Sequence, residues 1–169
     1  SFESLFASEA SSHERLAVLR MDVDNLGALL RSSMNKSNAL SEYAKFSRQL
    51  DIYFKQEVNK MWQAKYCDST VIIYAGGDDL FVVGEWENTL AFMHDINSKF
   101  KLFFSSESMS LSGGISLVRP KYPIIRAAEM SADEETIAKS FEFNGEQKNA
   151  ISLFRTPLRW EYEYKWIME

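Results

Sequence analysis

The sequence predicts an α+β fold, a mostly antiparallel sheet with helices on one face, and three observations carry that expectation. Short β-rich runs of strand length alternate with longer stretches of helical period. A Gly-Gly-Asp turn joins two of the runs into a hairpin. The order of the elements is strand, helices, strand–hairpin–strand, helix, strand, helix, strand, whose core is βαββαβ.

The first element is Leu16-Ala-Val-Leu-Arg-Met-Asp22, an apolar run that ends in Asp22-Val23-Asp24-Asn25. Asp24 or Asn25 is placed to cap a helix beginning near Leu26. Residues 32–38 are polar and loop-like. Leu40, Tyr43, Ser47, Leu50, Phe54, Val58 and Met61 then fall at three- and four-residue spacing, a long amphipathic helix. Val71-Ile-Ile-Tyr74 and Leu80-Phe-Val-Val83 flank Ala75-Gly76-Gly77-Asp78-Asp79, and glycine admits the positive φ that a tight hairpin demands. Leu90, Met93, Ile96, Phe100 and Phe103 mark another helix. Residues 109–118 alternate as a strand, with Gly113-Gly114 at a bulge or close backbone approach. Pro123 opens a further helix through Ile124, Ala127, Ala128 and Ile137 to Lys139. Asn144-Gly145 ends that region, and Ala150-Ile-Ser-Leu-Phe154 is the last strand. The pattern is ferredoxin-like, with one added helix early and a helix–strand extension late. The expected division is a linker over 1–15, the domain over 16–156, and from 157 to 169 the start of a following domain or tail.

Composition narrows the function. With 169 residues and 46% hydrophobic content, one domain with a sizeable core is expected. A net charge of −5 leaves no basic surplus for a free-standing polyanion binder. The single cysteine, Cys67, excludes an internal disulfide and fits a reducing, cytoplasmic setting. Two histidines, His13 and His94, are too few for a zinc site of histidines; His94 beside Asp95 reads as a surface residue. Asp133-Glu134-Glu135 reads as a solvated acidic stretch. No apolar run approaches the roughly 20 residues of a membrane span. The chain starts without Met and ends in an aromatic stretch containing Trp160, Tyr162, Tyr164 and Trp166, as expected of a piece of a longer protein.

In a βαββαβ sheet the first strand lies centrally and pairs antiparallel with the second hairpin strand. Asp22 and the pair Asp78-Asp79 should therefore meet at one edge. Taken singly, the turn is only a turn and the aspartate only a cap. Together they are converging carboxylates, which repel unless a cation stands between them. Mg²⁺ or Mn²⁺ accepts such oxygen ligands: Asp22 can bridge two ions, Asp78 and Asp79 complete the set, and the Val23 carbonyl can add a ligand. Two such ions promote phosphoryl or nucleotidyl transfer. The amides of Asn25, Leu26 and Gly27 suit a phosphate.

Four segments in order, Leu19-Arg-Met-Asp-Val-Asp-Asn-Leu-Gly27, Tyr74-Ala-Gly-Gly-Asp-Asp-Leu-Phe-Val-Val-Gly84, Leu111-Ser-Gly-Gly-Ile-Ser-Leu117 and Ile125-Arg-Ala-Ala-Glu129, carry a family resemblance. From about Leu16 to Phe154 the chain resembles the second palm domain of the large subunit of type III CRISPR interference complexes, of the Csm type. The resemblance implies a GGDEF-like nucleotidyl cyclase palm that converts ATP into cyclic oligoadenylates when target RNA pairs with guide RNA, in antiviral defence. It implies Asp78 and Asp79 as the Gly-Gly-Asp-Asp catalytic pair behind Gly76 and Gly77, and Asp22 as the first metal aspartate. Lys139 matches a phosphate-contacting lysine and Lys148 a second family position; Ser112 joins Asn25 as a candidate near the nucleotide. The implied partners are ATP, the first palm and other domains of the same subunit, and the remaining subunits of an RNA-guided complex. No nuclease His-Asp pair is present, and the domain alone is expected to synthesise little. A diguanylate cyclase using GTP shares the fold, but the turn lacks the Glu-Phe ending and the guanine-reading positions are missing. A non-catalytic scaffolding palm is the third reading; clustered carboxylates argue against it.

Overall fold

The computed structural model describes residues 15–33, 39–104 and 109–161; the 1–15 linker apart from Arg15, and Tyr162, Tyr164 and Trp166, lie outside them. The elements are β1 (Leu16–Val23), α1 (Leu26–Ser33), α2 (Ala39–Ile52), β2 (Thr70–Gly76), β3 (Asp79–Glu85), α3 (Trp86–Phe104), β4 (Leu111–Val118), α4 (Ile124–Ser140), β5 (Glu142–Phe143), β6 (Glu146–Gln147), β7 (Ala150–Leu153) and β8 (Thr156–Arg159). Beyond α2 the helical rod continues through π-helical Tyr53–Glu57, α-helical Val58–Met61 and π-helical Trp62–Tyr66.

Six strands form one sheet in the order β2-β3-β1-β4-β7-β8, antiparallel except where β7 runs parallel to β4. The period of two along β1 divides the molecule. Ala17, Leu19, Met21 and Val23 enter the main core with Leu50, Tyr53, Phe54 and Val58 of the rod and Phe92, Met93, Ile96 and Phe100 of α3. The Tyr53 hydroxyl, in the middle of that core, donates to the Ile96 carbonyl at 2.5 Å. Leu16 and Val18 face the other way, into a smaller cluster with Val83, Val118 and Ala127.

That second cluster corrects the expectation of helices on a single face. The rod and α3 share one face, but α4 packs on the opposite one. Gly114 shows why: a Cβ there would stand 2.1 Å from the Glu135 nitrogen and 2.4 Å from the Ser131 carbonyl oxygen, so the backbone of α4 lies directly on β4. The acidic stretch of α4 is accordingly not solvated throughout. Glu134 is buried, accepting hydrogen bonds from the Ser152 hydroxyl and, at 2.8 Å, from the Arg155 amide. The amphipathic face of the rod also begins later than its spacing predicts, since Leu40 and Tyr43 are exposed and Leu50 is buried.

The domain limit expected at 156/157 falls inside a hairpin. β7 and β8 pair across Phe154-Arg155, Pro157 sits on the outermost strand where no ladder donor is needed, and Trp160 is buried with its indole N–H 2.8 Å from the Leu111 carbonyl. Asn144-Gly145, both at positive φ (54° and 81°), do not merely end α4 but turn the small β5–β6 hairpin.

Candidate nucleotide and metal site

The register of the sheet builds the site. Asp22 lies opposite Asp79 on β3 and opposite Ser112 on β4. Gly77 (φ +63°) and Asp78 form the two-residue turn between Gly76 and Asp79, with glycine at the first central position as a type II′ turn requires. The Val23 amide donates to the Asp78 carbonyl at 3.0 Å, tying the turn to the end of β1. α4 then adds Glu135 and Lys139, one turn apart. The Lys139 ammonium binds the Asp22 carboxylate and, at 2.9 Å, Glu135. Arg20, two residues before Asp22 and therefore on the same face of β1, stands 3.6 Å from Glu135 and 3.7 Å from Asp79.

These carboxylates are not fully compensated. Burial pushes Asp22 up to about 6, outweighing Lys139, while Asp78 and Glu135 push in the same direction. Asp79 is raised by burial, and by Glu135 and Asp78, against the pull of Arg20. Burial works to lower Lys139, but its hydrogen bonds to Asp22 and Glu135 prevail and hold it above the usual lysine range. Asp79 Oδ1 is buried without a hydrogen-bond partner, a costly state for a carboxylate oxygen.

The donor set fits Mg²⁺ or Mn²⁺. Asp22, Asp78, Asp79 and the Val23 carbonyl are all hard oxygen donors, and a divalent cation would satisfy the orphaned Asp79 oxygen. Among the described residues no three His, Cys, Asp or Glu side chains are gathered to hold an ion alone. A magnesium-type cation takes one or two carboxylates from a protein and completes its shell with water and substrate phosphate.

Beyond the end of β1 an open cleft of about 300 Å³ is lined by Asp22, Val23, Asn25, Leu26, Gly27 and Asp78, with Lys139 and Lys148 at its sides. Four other expected residues do not line it, among them Asp79, which lines a separate pocket with Arg20. Gly76 is buried in the hairpin, the Gly77 amide faces Asp51 Oδ1 at 3.4 Å, and the Ser112 hydroxyl is buried against Asp24 at 2.9 Å. Arg31 and Ala28 line the cleft without having been anticipated. Their one-turn distance from Asn25–Gly27 on a short helix was the available signal. Glu135 could have been found as the residue one helical turn before Lys139.

Asp24 is the residue the sequence disguised. Rather than capping a helix from the surface, its carboxylate is almost wholly buried. Its Oδ2 accepts from Ser110 Oγ at 2.5 Å, Ser112 Oγ at 2.9 Å and the Asn149 amide at 3.0 Å. Lys148 and Asn149 both have positive φ (66° and 50°), a strained pair for residues with side chains. The Asn149–Asp24 bond and that of the Lys148 amide to the Phe141 carbonyl, 2.9 Å, fix this loop. Lys148 Nζ consequently reaches Asn25 Oδ1 at 2.8 Å, across the cleft.

Comparison with known proteins agrees with this architecture. Residues 15–152 match the family model of the Cas10/Cmr2 second palm domain. The CRISPR system single-strand-specific deoxyribonuclease Cas10/Csm1 (subtype III-A) of Streptococcus thermophilus is 34% identical over 155 residues, 89% of this chain and 19% of that protein. Its counterpart from Mycobacterium tuberculosis is 35% identical over 166 residues, 88% of this chain and 20% of that protein. The chain thus spans about a fifth of the length of these relatives. Among solved structures, a Csm1–Csm4 cassette in complex with one ATP superposes with a TM-score of 0.72 at 25% identity, over 97% of this chain and 25% of that one. The Csm1–Csm4 subcomplex of a type III-A CRISPR–Csm interference complex does so with 0.67 at 28% identity, over 80% and 20%. By fold, register and sequence, this chain belongs to the family of the Cas10/Cmr2 second palm domain.

Proposed function

We propose that the cleft at the end of β1 joins ATP molecules into cyclic oligoadenylates, as part of the large subunit of a type III effector. One observation carries the proposal: Arg31, Lys139 and Lys148 share a single cleft with Asp22 and Asp78, so cations for a triphosphate face carboxylates for a metal. Arg31 and Lys148 bind the phosphates as fixed positive charges. Lys139 moves from Asp22 to phosphate as the substrate enters, keeping Glu135 as its anchor. Asn25, at φ 61°, turns the chain so that α1 starts against the cleft. When bound, Mg²⁺ or Mn²⁺ would neutralise charge on the α-phosphate and acidify the attacking hydroxyl. In each step a ribose 3′-oxygen bonds to the α-phosphorus of a second ATP. The bond from that phosphorus to pyrophosphate breaks, pyrophosphate leaves, and the hydroxyl proton passes to water. A final intramolecular step closes the ring. The second nucleotide and the RNA trigger are supplied by the first palm, the other subunits, and the guide and target RNA.

A scaffolding role gives no reason to keep Asp22 and Asp79 where burial raises both. The test is product analysis by mass spectrometry of the reconstituted effector complex with target RNA, given ATP or GTP with Mg²⁺. Cyclic oligoadenylates are expected from wild type and none from Asp78→Asn/Asp79→Asn. A cyclic diguanylate product would instead assign the site to GTP, and equal synthesis by the double variant would remove the site from the reaction.

A further inference from the structure

A second pocket, of about 180 Å³, opens on the α4 face of the sheet and is lined by Arg20, Tyr74, Asp79, Phe81 and Ala128. It exceeds the roughly 150 Å³ that accommodates one benzene ring in a protein interior. Its floor is laid by register. Tyr74 on β2 pairs with Phe81 on β3, and Phe81 pairs with Arg20 on β1, so two aromatic rings and a guanidinium form one row across three strands. The neighbouring row, two residues along the strands and therefore about 7 Å away, is Gly76, Asp79 and Asp22. Tyr74 is 53% exposed although it occupies the sheet rather than a loop. Its hydroxyl leans toward the carboxylate row, 3.7 Å from where a Cβ on Gly76 would stand. Arg20 closes the row, its guanidinium 3.7 Å from Asp79 and 3.6 Å from Glu135.

We infer that this ledge seats the base of the nucleotide that presents the 3′-hydroxyl, a purine stacked on Tyr74 and Phe81. The inference rests on the oligoadenylate reading above and assigns to this chain one side of the acceptor. The row of Asp22 and Asp79 lies between the ledge and the phosphate cleft. An acceptor with its base on the rings places its ribose over those carboxylates, where the α-phosphate of the other nucleotide arrives. The part-exposed guanidinium of Arg20 offers a cation to the base.

The experiment uses the reconstituted effector complex with full-length large subunit and target RNA. The acceptor is the 5′-triphosphorylated adenylyl dinucleotide and the donor 3′-deoxy-ATP, which can be added once but cannot itself accept. Loss of one stacking ring predicts that Tyr74→Ala raises the acceptor KM about tenfold or more, leaves the donor KM within about twofold, and is rescued by Tyr74→Phe. An unchanged acceptor KM overturns the assignment, and so does an equal rise for donor and acceptor. A parallel titration follows the fluorescence quenching of a 2-aminopurine analogue of the acceptor, which needs no catalysis. Quenching by wild type and Tyr74→Phe but not Tyr74→Ala supports the ledge; equal quenching by all three overturns it. If wild type makes no product from ATP, the oligoadenylate reading fails, and the quenching still decides whether the ledge holds a base.

Discussion

Replacing Asp24 tests whether one buried carboxylate assembles the phosphate side of the cleft. Its Oδ2 collects two serine hydroxyls from the start of β4 and the Asn149 amide from the loop before β7. Asp24→Ala removes all three bonds, each worth a net ~1 kcal/mol, and strands the Asn149 N–H at a further ~1–3 kcal/mol. The expected loss is ~4–6 kcal/mol, a large share of the ~5–15 kcal/mol that keeps a domain folded. Asp24→Asn retains an accepting oxygen, but its amide nitrogen can fall where Oδ1 is now buried without a partner. An orphaned donor there costs ~1–3 kcal/mol. Urea denaturation reads the stability, and amide hydrogen exchange at Lys148 and Asn149 reads the loop. Exchange at Asn149 should accelerate in Asp24→Asn beyond what the global destabilisation accounts for. A stability loss below ~0.5 kcal/mol in Asp24→Ala, or unchanged exchange at Asn149, would refute the reasoning.

Other consequences follow from the same geometry. Gly114→Ala drives a methyl group into the backbone of α4, so it should cost ~3 kcal/mol or more in thermal denaturation and abolish synthesis by displacing Glu135 and Lys139. Gly77→Ala meets no atom within 4 Å but forces a side chain onto φ +63°, and should cost only ~1–2 kcal/mol. Glu134→Gln leaves the carboxylate's bonds to Ser152 and the Arg155 amide half matched; ~1–3 kcal/mol of destabilisation is expected, with little change in nucleotide affinity. Asp22 holds its proton more tightly folded, at about 6, than unfolded, at 3.8. In metal-free protein the native state therefore binds more protons between those values, and stability falls as pH rises through that window. The stability of Asp22→Asn relative to wild type should grow by ~2 kcal/mol between pH 4 and pH 7; a flat difference would contradict it.

What could be read from the sequence was whatever has a local period or a fixed topological consequence. β1, the Gly-Gly-Asp hairpin and the order βαββαβ bring Asp22 opposite Asp79 without any knowledge of side-chain packing. The side of the sheet taken by α4 has no such signature. It depends on Gly114 admitting a helix backbone, and a Gly-Gly pair in a strand reads equally as a bulge. Glu134 and Asp24 were misread for a related reason: burial of a carboxylate is decided by donors that arrive from distant segments, Ser152 and Arg155 for one, Ser110, Ser112 and Asn149 for the other. Ser112 looked like a nucleotide contact because its strand borders Asp22, yet its hydroxyl is spent on Asp24. Phe154-Arg155 concealed the last hairpin by occupying, with positive φ, positions that usually carry Asn or Gly.

The central claim is that nucleotide and divalent cation meet at Asp22, Asp78 and Asp79. The most direct test is a Mn²⁺ titration of the full-length large subunit in its complex, followed by electron paramagnetic resonance with and without a non-hydrolysable ATP analogue. Wild type is expected to take up Mn²⁺ tightly only with the analogue present, and Asp78→Asn/Asp79→Asn to lose that uptake while keeping its thermal stability. Undiminished, analogue-dependent Mn²⁺ binding by the double variant would contradict the account.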